Sequence, residues 1–280
     1  MEETRIAILY ICTGPYAVFW NDFYESFQLR FLPKCKKDYF VFTDKDDLCN
    51  KDNVHLIHIL HQDWPYNTLM RFEIFLKVKQ ELAAFDYIYF FNANMKCNKT
   101  IMEQEILPDV SRGERIAVVI HPLYKNTKSR HCPFERNPNS KAYVPYTYKN
   151  KYIMGSLNGG EAKTYLSLIS KLAYNTKVDL KRDLVAKVHD ESHLNAFIAK
   201  QLPETIKYLS PSYVYPMDLL PEYPAYILLL DKRNFFDVVD FKKLHRKNLL
   251  IRAFNKIRRY LYEDIEYLLL CIKETMRKPM

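Results

Sequence analysis

The chain has 280 residues, 48% of them hydrophobic and 15% aromatic, which is too much apolar material for a disordered polypeptide and enough for a substantial core. Its formal charge of +9 is uneven: residues 241–280 hold 11 Lys/Arg against 4 Asp/Glu, leaving 31 against 29 for the first 240. A nearly neutral body argues against a nucleic-acid footprint spread over the folded surface, and no apolar run approaches the roughly 20 residues of a membrane-spanning helix.

In chain order, Arg5–Thr13 predicts a buried strand ending at Gly14-Pro15, followed by an aromatic-rich helix to about Leu32. Tyr39–Thr43 and Val54–Ile59 read as strands, 65–82 has helical period, and Tyr87–Phe91 is a strand closed by Asn92-Ala93-Asn94. Residues 121–151 are rich in Pro, Asn, Lys and Tyr without periodicity, the mark of a functional loop. Tyr152–Leu157 resumes the sheet, and helices fit 160–175 and 191–201. Strand alternating with helix predicts an α/β fold with a mostly parallel central sheet, its ligand lying beyond the carboxyl ends of the strands. Gly14 and the asparagine turn both fall at such ends.

From Leu250 to Met276, apolar residues recur every three or four positions, with Arg252, Lys256 and Arg259 on another face. The expected organisation is an α/β domain at 1–231 and a basic amphipathic helical extension at 232–280. That extension either packs on the body or docks on an anionic membrane surface.

The five glycines, at 14, 113, 155, 159 and 160, form neither G-x-G-x-x-G nor a P-loop. Any bound phosphate must then be met by side-chain cations or by a metal. Six scattered cysteines (12, 35, 49, 97, 132 and 271) without C-x-x-C spacing, and no signal-peptide pattern, lead us to expect reduced thiols and a cytoplasmic protein, soluble or peripheral at the membrane face.

The densest polar cluster is His189-Asp190-Glu191-Ser192-His193-Leu194-Asn195. One reading is a helix N-terminus capped by Asp190 and Ser192. A second is a metal site, since His189 and His193 are four apart, although no third ligand is evident. The third rests on resemblance. This heptad is similar to the signature of glycosyltransferase family 6, which contains the blood-group A and B transferases and the α1,3-galactosyltransferases. The similarity is colinear over about residues 5–215. Ile11-Cys12-Thr13-Gly14-Pro15-Tyr16 resembles the uridine-contacting segment, and Leu69-Met70-Arg71-Phe72 the helix whose arginine faces the nucleotide. His121-Pro122, Phe134-Glu135-Arg136 and Ser140–Pro145 track the acceptor loop. Tyr152–Gly160 resembles the donor-sugar segment, and Leu209-Ser210-Pro211-Ser212-Tyr213 matches Leu-Ser-Pro-x-Tyr.

The resemblance implies the GT-A nucleotide-sugar transferase fold, with a UDP-sugar donor and an oligosaccharide acceptor ending in galactose. It implies retaining transfer of N-acetylgalactosamine or galactose to the acceptor's 3-hydroxyl, with Glu191 as the catalytic carboxylate. Donor contacts are then expected from Ile11, Cys12, Thr13, Tyr16, Arg71, Asn92, Asn94, Met154, Gly155, Ser156 and Asp190, and acceptor contacts from His121, Pro133 and Tyr215. Asn92-Ala93-Asn94 stands where mammalian members carry a metal-binding Asp-Val-Asp, and two neutral amides are poor ligands for a hard divalent cation. No metal cofactor is therefore expected. Arg71, Lys96 and the basic segment from Lys232-Arg233 to Arg246 are the candidate cations for the diphosphate. Ser156 is small enough to leave room for an N-acetyl group, whereas Met154 matches galactose-using members. The alternatives are an inactive glycan-binding module, a UDP-galactose-specific enzyme and an inverting glycosidase. Pro133 and Tyr215-Pro216 depart from the family pattern, and a fucosylated, blood-group H-like galactose is the expected acceptor.

Overall fold

The computed structural model describes residues 3–62 and 64–236, with isolated positions 265 and 269. The expected basic C-terminal extension beyond residue 236, with Arg246, lies outside the described residues apart from those two positions. Among the described residues ten strands form: β1 (Arg5–Ile11), β2 (Lys36–Thr43), β3 (Val54–His58), β4 (Tyr87–Phe91), β5 (Met95–Cys97), β6 (Ile116–Ile120), β7 (Ile153–Glu161), β8 (Ile206–Leu209), β9 (Tyr215–Pro216) and β10 (Ile227–Leu229). The α-helices are α1 (Trp20–Arg30), α2 (Tyr66–Leu69), α3 (Arg71–Phe75), α4 (Lys79–Leu82), α5 (Glu103–Ile106), α6 (Ala162–Leu180) and α7 (His189–Ile198).

Seven strands make one sheet in the order β3-β2-β1-β4-β7-β6-β8. All its neighbours are parallel except β7, which runs antiparallel to both β4 and β6. The expected α/β class and mostly parallel sheet are therefore observed. β1, β2 and β4 read as unbroken apolar runs because helices cover both faces of the sheet. One face packs the aromatics of α1, Phe23 stacked on Phe27, with Phe31 just beyond the helix, against Tyr39 and Phe91. On the other, Phe72 and Phe75 of α3 and Tyr165, Leu168, Ile169 and Leu172 of α6 form a second core with Phe42 and Phe90.

Several boundaries differ from expectation. The helix expected straight after Pro15 begins as a 3-10 turn, Gly14–Phe19, and becomes α-helical at Trp20. The 65–82 stretch is three short α-helices with a 3-10 turn between α3 and α4. β7 extends to Glu161 through Gly159 and Gly160, and α6 continues to Leu180. A Cβ on Gly159 would sit 2.5 Å from the Ile88 carbonyl oxygen, so only glycine lets β4 come so close. Among the described residues, no helix is long and apolar enough to cross a membrane.

Candidate active site

Because β7 is antiparallel, its first residues lie at the same end of the sheet as the last residues of β1 and β4. The register pairs Tyr10 with Phe91, and Phe91 with Leu157. Just beyond, the Asn92 N–H donates to the Ser156 carbonyl at 2.9 Å. The Tyr10 hydroxyl donates to the Ala93 carbonyl at 2.9 Å and pins the asparagine turn to β1. Three segments distant in sequence thus meet at one point.

Ile11, Thr13, Tyr16, Arg71, Asn92, Asn94 and Lys232 line a single cleft there. Cys12 does not: strand alternation turns it into the core, where burial pushes its thiol up to about 12. Asn67 and Thr68 also line the cleft, and no sequence motif singles them out.

Arg71 organises the floor. Its guanidinium, over the Phe90 ring at 4.2 Å, donates to the Asp190 carboxylate at 2.5 Å, the Gly155 carbonyl at 3.0 Å and the Asn92 side-chain oxygen at 3.3 Å. Both members of the Arg71–Asp190 pair are buried. Burial raises the Asp190 carboxyl above its ordinary value, with Arg71 pulling the other way. Asp190 is therefore an ion-pair partner, and no side chain caps the helix at Val188, its N-cap residue. Ser192 does not cap the helix either; its hydroxyl reaches back and accepts from the N–H of Val188 itself at 2.9 Å.

Glu191 sits one residue on. Its carboxylate accepts from the Gly155 N–H and from the Tyr152 hydroxyl, each at 2.7 Å. Burial raises its pKa to about 7, against the opposing pull of those two donors. Asn195 staples the helix to the strand by exchanging hydrogen bonds with both backbone groups of Ile153 at 2.8 and 2.9 Å. Sequence reasoning assigns no role to Tyr152 or Asn195, although both lie inside the quoted motifs. Only the packing of α7 on β7 shows what they touch. Gly155 has little room for a side chain, since a Cβ there would meet Glu191 Cβ at 3.1 Å.

Ser156 is buried and its hydroxyl has no partner among the described residues. Met154 is half-buried and packs against the core. Asn94 donates its amide N–H to the Leu230 carbonyl at 2.6 Å, while its side-chain oxygen is buried without a partner among the described residues. That bond, with the pairing of β10 to β5, leads the chain from Leu230 to Lys232 at the cleft. There the ammonium lies 4.8 Å over the Tyr16 ring and donates to its hydroxyl at 3.3 Å. Desolvation, reinforced by the Arg71 charge, lowers the Lys232 pKa to about 8. Lys96 is elsewhere, paired with Asp22 at 2.9 Å, and Arg233 is exposed and paired with Asp231. These two expected cations are spent on other carboxylates.

On the other side of Tyr152, His121 follows β6, and its ring lies 5.7 Å from that of Tyr152 and 4.8 Å from that of Tyr124. Burial lowers its pKa to about 4, so the ring is neutral at physiological pH. Its Nδ1 accepts from the Leu123 N–H, which leaves the proton on Nε2. Pro133 is buried beside Phe134. The Tyr215 hydroxyl and ring are taken by Pro221 and Tyr223, not by His121.

Among the described residues, no three His, Cys, Asp or Glu side chains gather closely enough to hold a metal ion. His193 is buried near Asp179, 3.9 Å away, and His189 packs edge-on against Trp64. The two-histidine zinc reading thus finds no third ligand among these residues.

Comparison with known proteins agrees with this architecture. The chain is 39% identical over 231 residues to an O-antigen biosynthesis glycosyltransferase, WbnI, of Escherichia coli, covering 82% of this chain and 95% of that one. It is 26% identical to histo-blood group ABO system transferase 2 of Rattus norvegicus, covering 79% of this chain and 66% of the relative. With globoside alpha-1,3-N-acetylgalactosaminyltransferase 1 of Gallus gallus the identity is 24%, covering 80% and 65%. The chain thus spans about two thirds of the length of these two animal relatives. The model of glycosyltransferase family 6 matches residues 1–231, and with its GT-A-like sheet the chain belongs to that family, whose enzymes transfer a sugar from a nucleotide-sugar donor to a glycan acceptor and release the nucleotide.

Proposed function

We propose that this protein is a retaining α1,3-hexosyltransferase that moves N-acetylgalactosamine from UDP to the 3-hydroxyl of an acceptor galactose, fucosylated in the manner of blood-group H, without a metal ion. The observation that carries this reading is Glu191: a half-buried carboxylate aimed by Tyr152 and Gly155, one residue from Asp190, whose partner Arg71 lines the cleft. Retention calls for an anion on the sugar face opposite the leaving UDP, as nucleophile or as stabiliser of an oxocarbenium-like state. Glu191 supplies it in its ionised form. Asp190, held by Arg71, is placed to accept donor-sugar hydroxyls. The Nε2–H of His121 is placed to donate to a hydroxyl of the acceptor galactose.

The leaving diphosphate needs positive charge. The asparagine turn does not suit a divalent cation, because its amides are neutral, one oxygen already accepts from Arg71, and Lys232 and Arg71 would repel the ion. Arg71 and Lys232 are the cations this chain offers in its place, as charge-assisted donors in a partly desolvated cleft. The donor assignment rests on the resemblance at Ser156, a small residue whose buried hydroxyl has no partner among the described residues, against Met154, which matches galactose-using members. The chicken relative's name, an N-acetylgalactosaminyltransferase, points the same way.

The test is UDP release from UDP-N-acetylgalactosamine and UDP-galactose, with 2′-fucosyllactose or lactose as acceptor, in excess EDTA and again with Mn²⁺. Turnover in EDTA, unchanged by Mn²⁺ and abolished by Glu191→Gln, is the expected outcome. Turnover only with Mn²⁺ overturns the metal-free reading, and a higher kcat/KM with UDP-galactose overturns the donor assignment.

A further inference from the structure

Residues 121–151 hold seven Lys/Arg and one Asp/Glu, whereas the rest of the first 240 residues hold 24 against 28. The loop is a positive island on a mildly acidic body. Its charges divide into two kinds. Arg136 belongs to the scaffold: it donates to the carbonyls of Ser129, Val144 and Pro145 at 2.7 to 3.1 Å and stacks on Tyr146 at 4.3 Å. Lys128 and Lys149 are exposed and have no ion pair or side-chain hydrogen bond among the described residues.

These two lysines, with Ser129, Arg130, Tyr146 and Tyr148, line a pocket of about 250 Å³. Its walls are cross-tied, since the Ser129 hydroxyl donates to the Tyr148 carbonyl and Arg136 grips both sides. The volume falls below the roughly 300–1,000 Å³ of sites that enclose a whole small molecule, so it suits one group of a larger ligand. Tyrosine rings beside cations offer a face for a sugar ring and charges for an anion. A relay of rings links the pocket to Glu191: Tyr148 packs on Phe134 at 5.5 Å, and Phe134 packs on Tyr152, the hydroxyl donor to Glu191, at 4.9 Å.

We propose that this pocket is a subsite for an anionic group, phosphate or carboxylate, carried by the acceptor glycan at a distance from its reacting hydroxyl. The proposal rests on the acceptor-glycan reading above, and it adds that the natural acceptor is charged. Gathering like charges with no carboxylate among them is unfavourable until an anion is bound, which makes the subsite selective against neutral acceptors and sensitive to salt.

The experiment is calorimetric titration of the full chain at about 50 mM NaCl with lactose, lactose 1-phosphate and a lactose-capped glucuronide, repeated with a Lys128→Ala/Lys149→Ala double variant. At least one charged probe binds roughly five- to tenfold more tightly than lactose, as two or three partly exposed ion pairs allow. The double variant erases that preference and leaves lactose binding unchanged. Which charged probe gains distinguishes phosphate from carboxylate. Equal affinity for all three probes, or a preference that survives in the variant, overturns the subsite. UDP release with the same probes tests the transferase reading separately. Charge-selective binding with no UDP release from either donor contradicts that reading and supports the pocket, whereas UDP release with no charge preference contradicts the pocket alone.

Discussion

Two walls flank Glu191, one of strand ends gathered around Arg71 and one of the 121–151 loop with Tyr152, and they are built from different material. On the first, Asn92, Gly155 and Asp190 are fixed by Arg71 through buried hydrogen bonds and an ion pair, each to a defined atom. On the second, His121, Tyr124, Tyr152, Phe134 and Tyr148 are held by ring contacts, with cations standing at the rim. Directional bonds fix geometry to fractions of an ångström, whereas aromatic packing fixes shape and tolerates exchange of size and polarity. On the function proposed above, the wall assigned to the transferred sugar is rigid in chemistry, and the loop wall is where selectivity would be adjustable.

Glu191→Gln breaks the first wall most deeply. Transfer, read as UDP release, falls roughly a thousandfold or more, because a group needed by the reacting atoms is lost. Stability moves the other way. The folded pKa of about 7 lies above the ordinary value of 4.5, so wild-type stability is full below pH 4.5 and declines as pH rises through 7. At pH 8 the Gln variant melts at the same temperature as wild type or higher. Arg71→Ala removes one member of a buried pair and costs about 3–5 kcal/mol in urea denaturation, together with loss of donor binding. A change within about 1 kcal/mol would mean that the pair behaves like a surface ion pair.

The junction between the walls is Tyr152. Tyr152→Phe removes one of the two donors to Glu191, so the acidic limb of the kcat/KM profile moves upward from about 7 and the rate near neutrality drops about tenfold. An unmoved limb would reduce Tyr152 to packing. Lys232 gives a smaller effect of opposite pH sign: its charge is lost as pH rises through about 8, so the donor KM climbs above that pH. In Lys232→Met the KM is raised severalfold and is flat over that range. The smallest change is expected on the adjustable wall, where His121→Ala raises the acceptor KM a few fold and leaves the donor KM alone.

Much of the first wall is legible in the chain. The strand and helix order and the asparagine turn put Asn92 and Asn94 at the carboxyl ends of the strands, because apolar runs and turn residues report locally on the fold; Asp190 and Glu191 are brought to the same site only by the resemblance, and the structure links Asp190 to Asn92 through Arg71. A motif read whole puts Cys12 at the cleft, whereas in a strand alternate residues face opposite ways and Cys12 faces the core. Lys96 is near in sequence to the asparagines, but its side chain reaches Asp22. β8, and the strands β5, β9 and β10 of the small sheet, escape sequence reading, since strands of two to four residues carry little periodicity; β6, an apolar run as long as β3 and β4, is missed as well.

Read alone, the chain supplies an inventory: a carboxylate cluster, an amide turn in place of carboxylates, few glycines, and a basic loop. Tertiary structure decides which of these meet. The antiparallel run of β7 brings Gly155 against Glu191, α3 delivers Arg71 to Asp190 over 119 residues of chain, and β10 carries Lys232 to Tyr16. Such pairings are non-local, and their partners are chosen by the packing of the whole sheet, so no window of the sequence contains them.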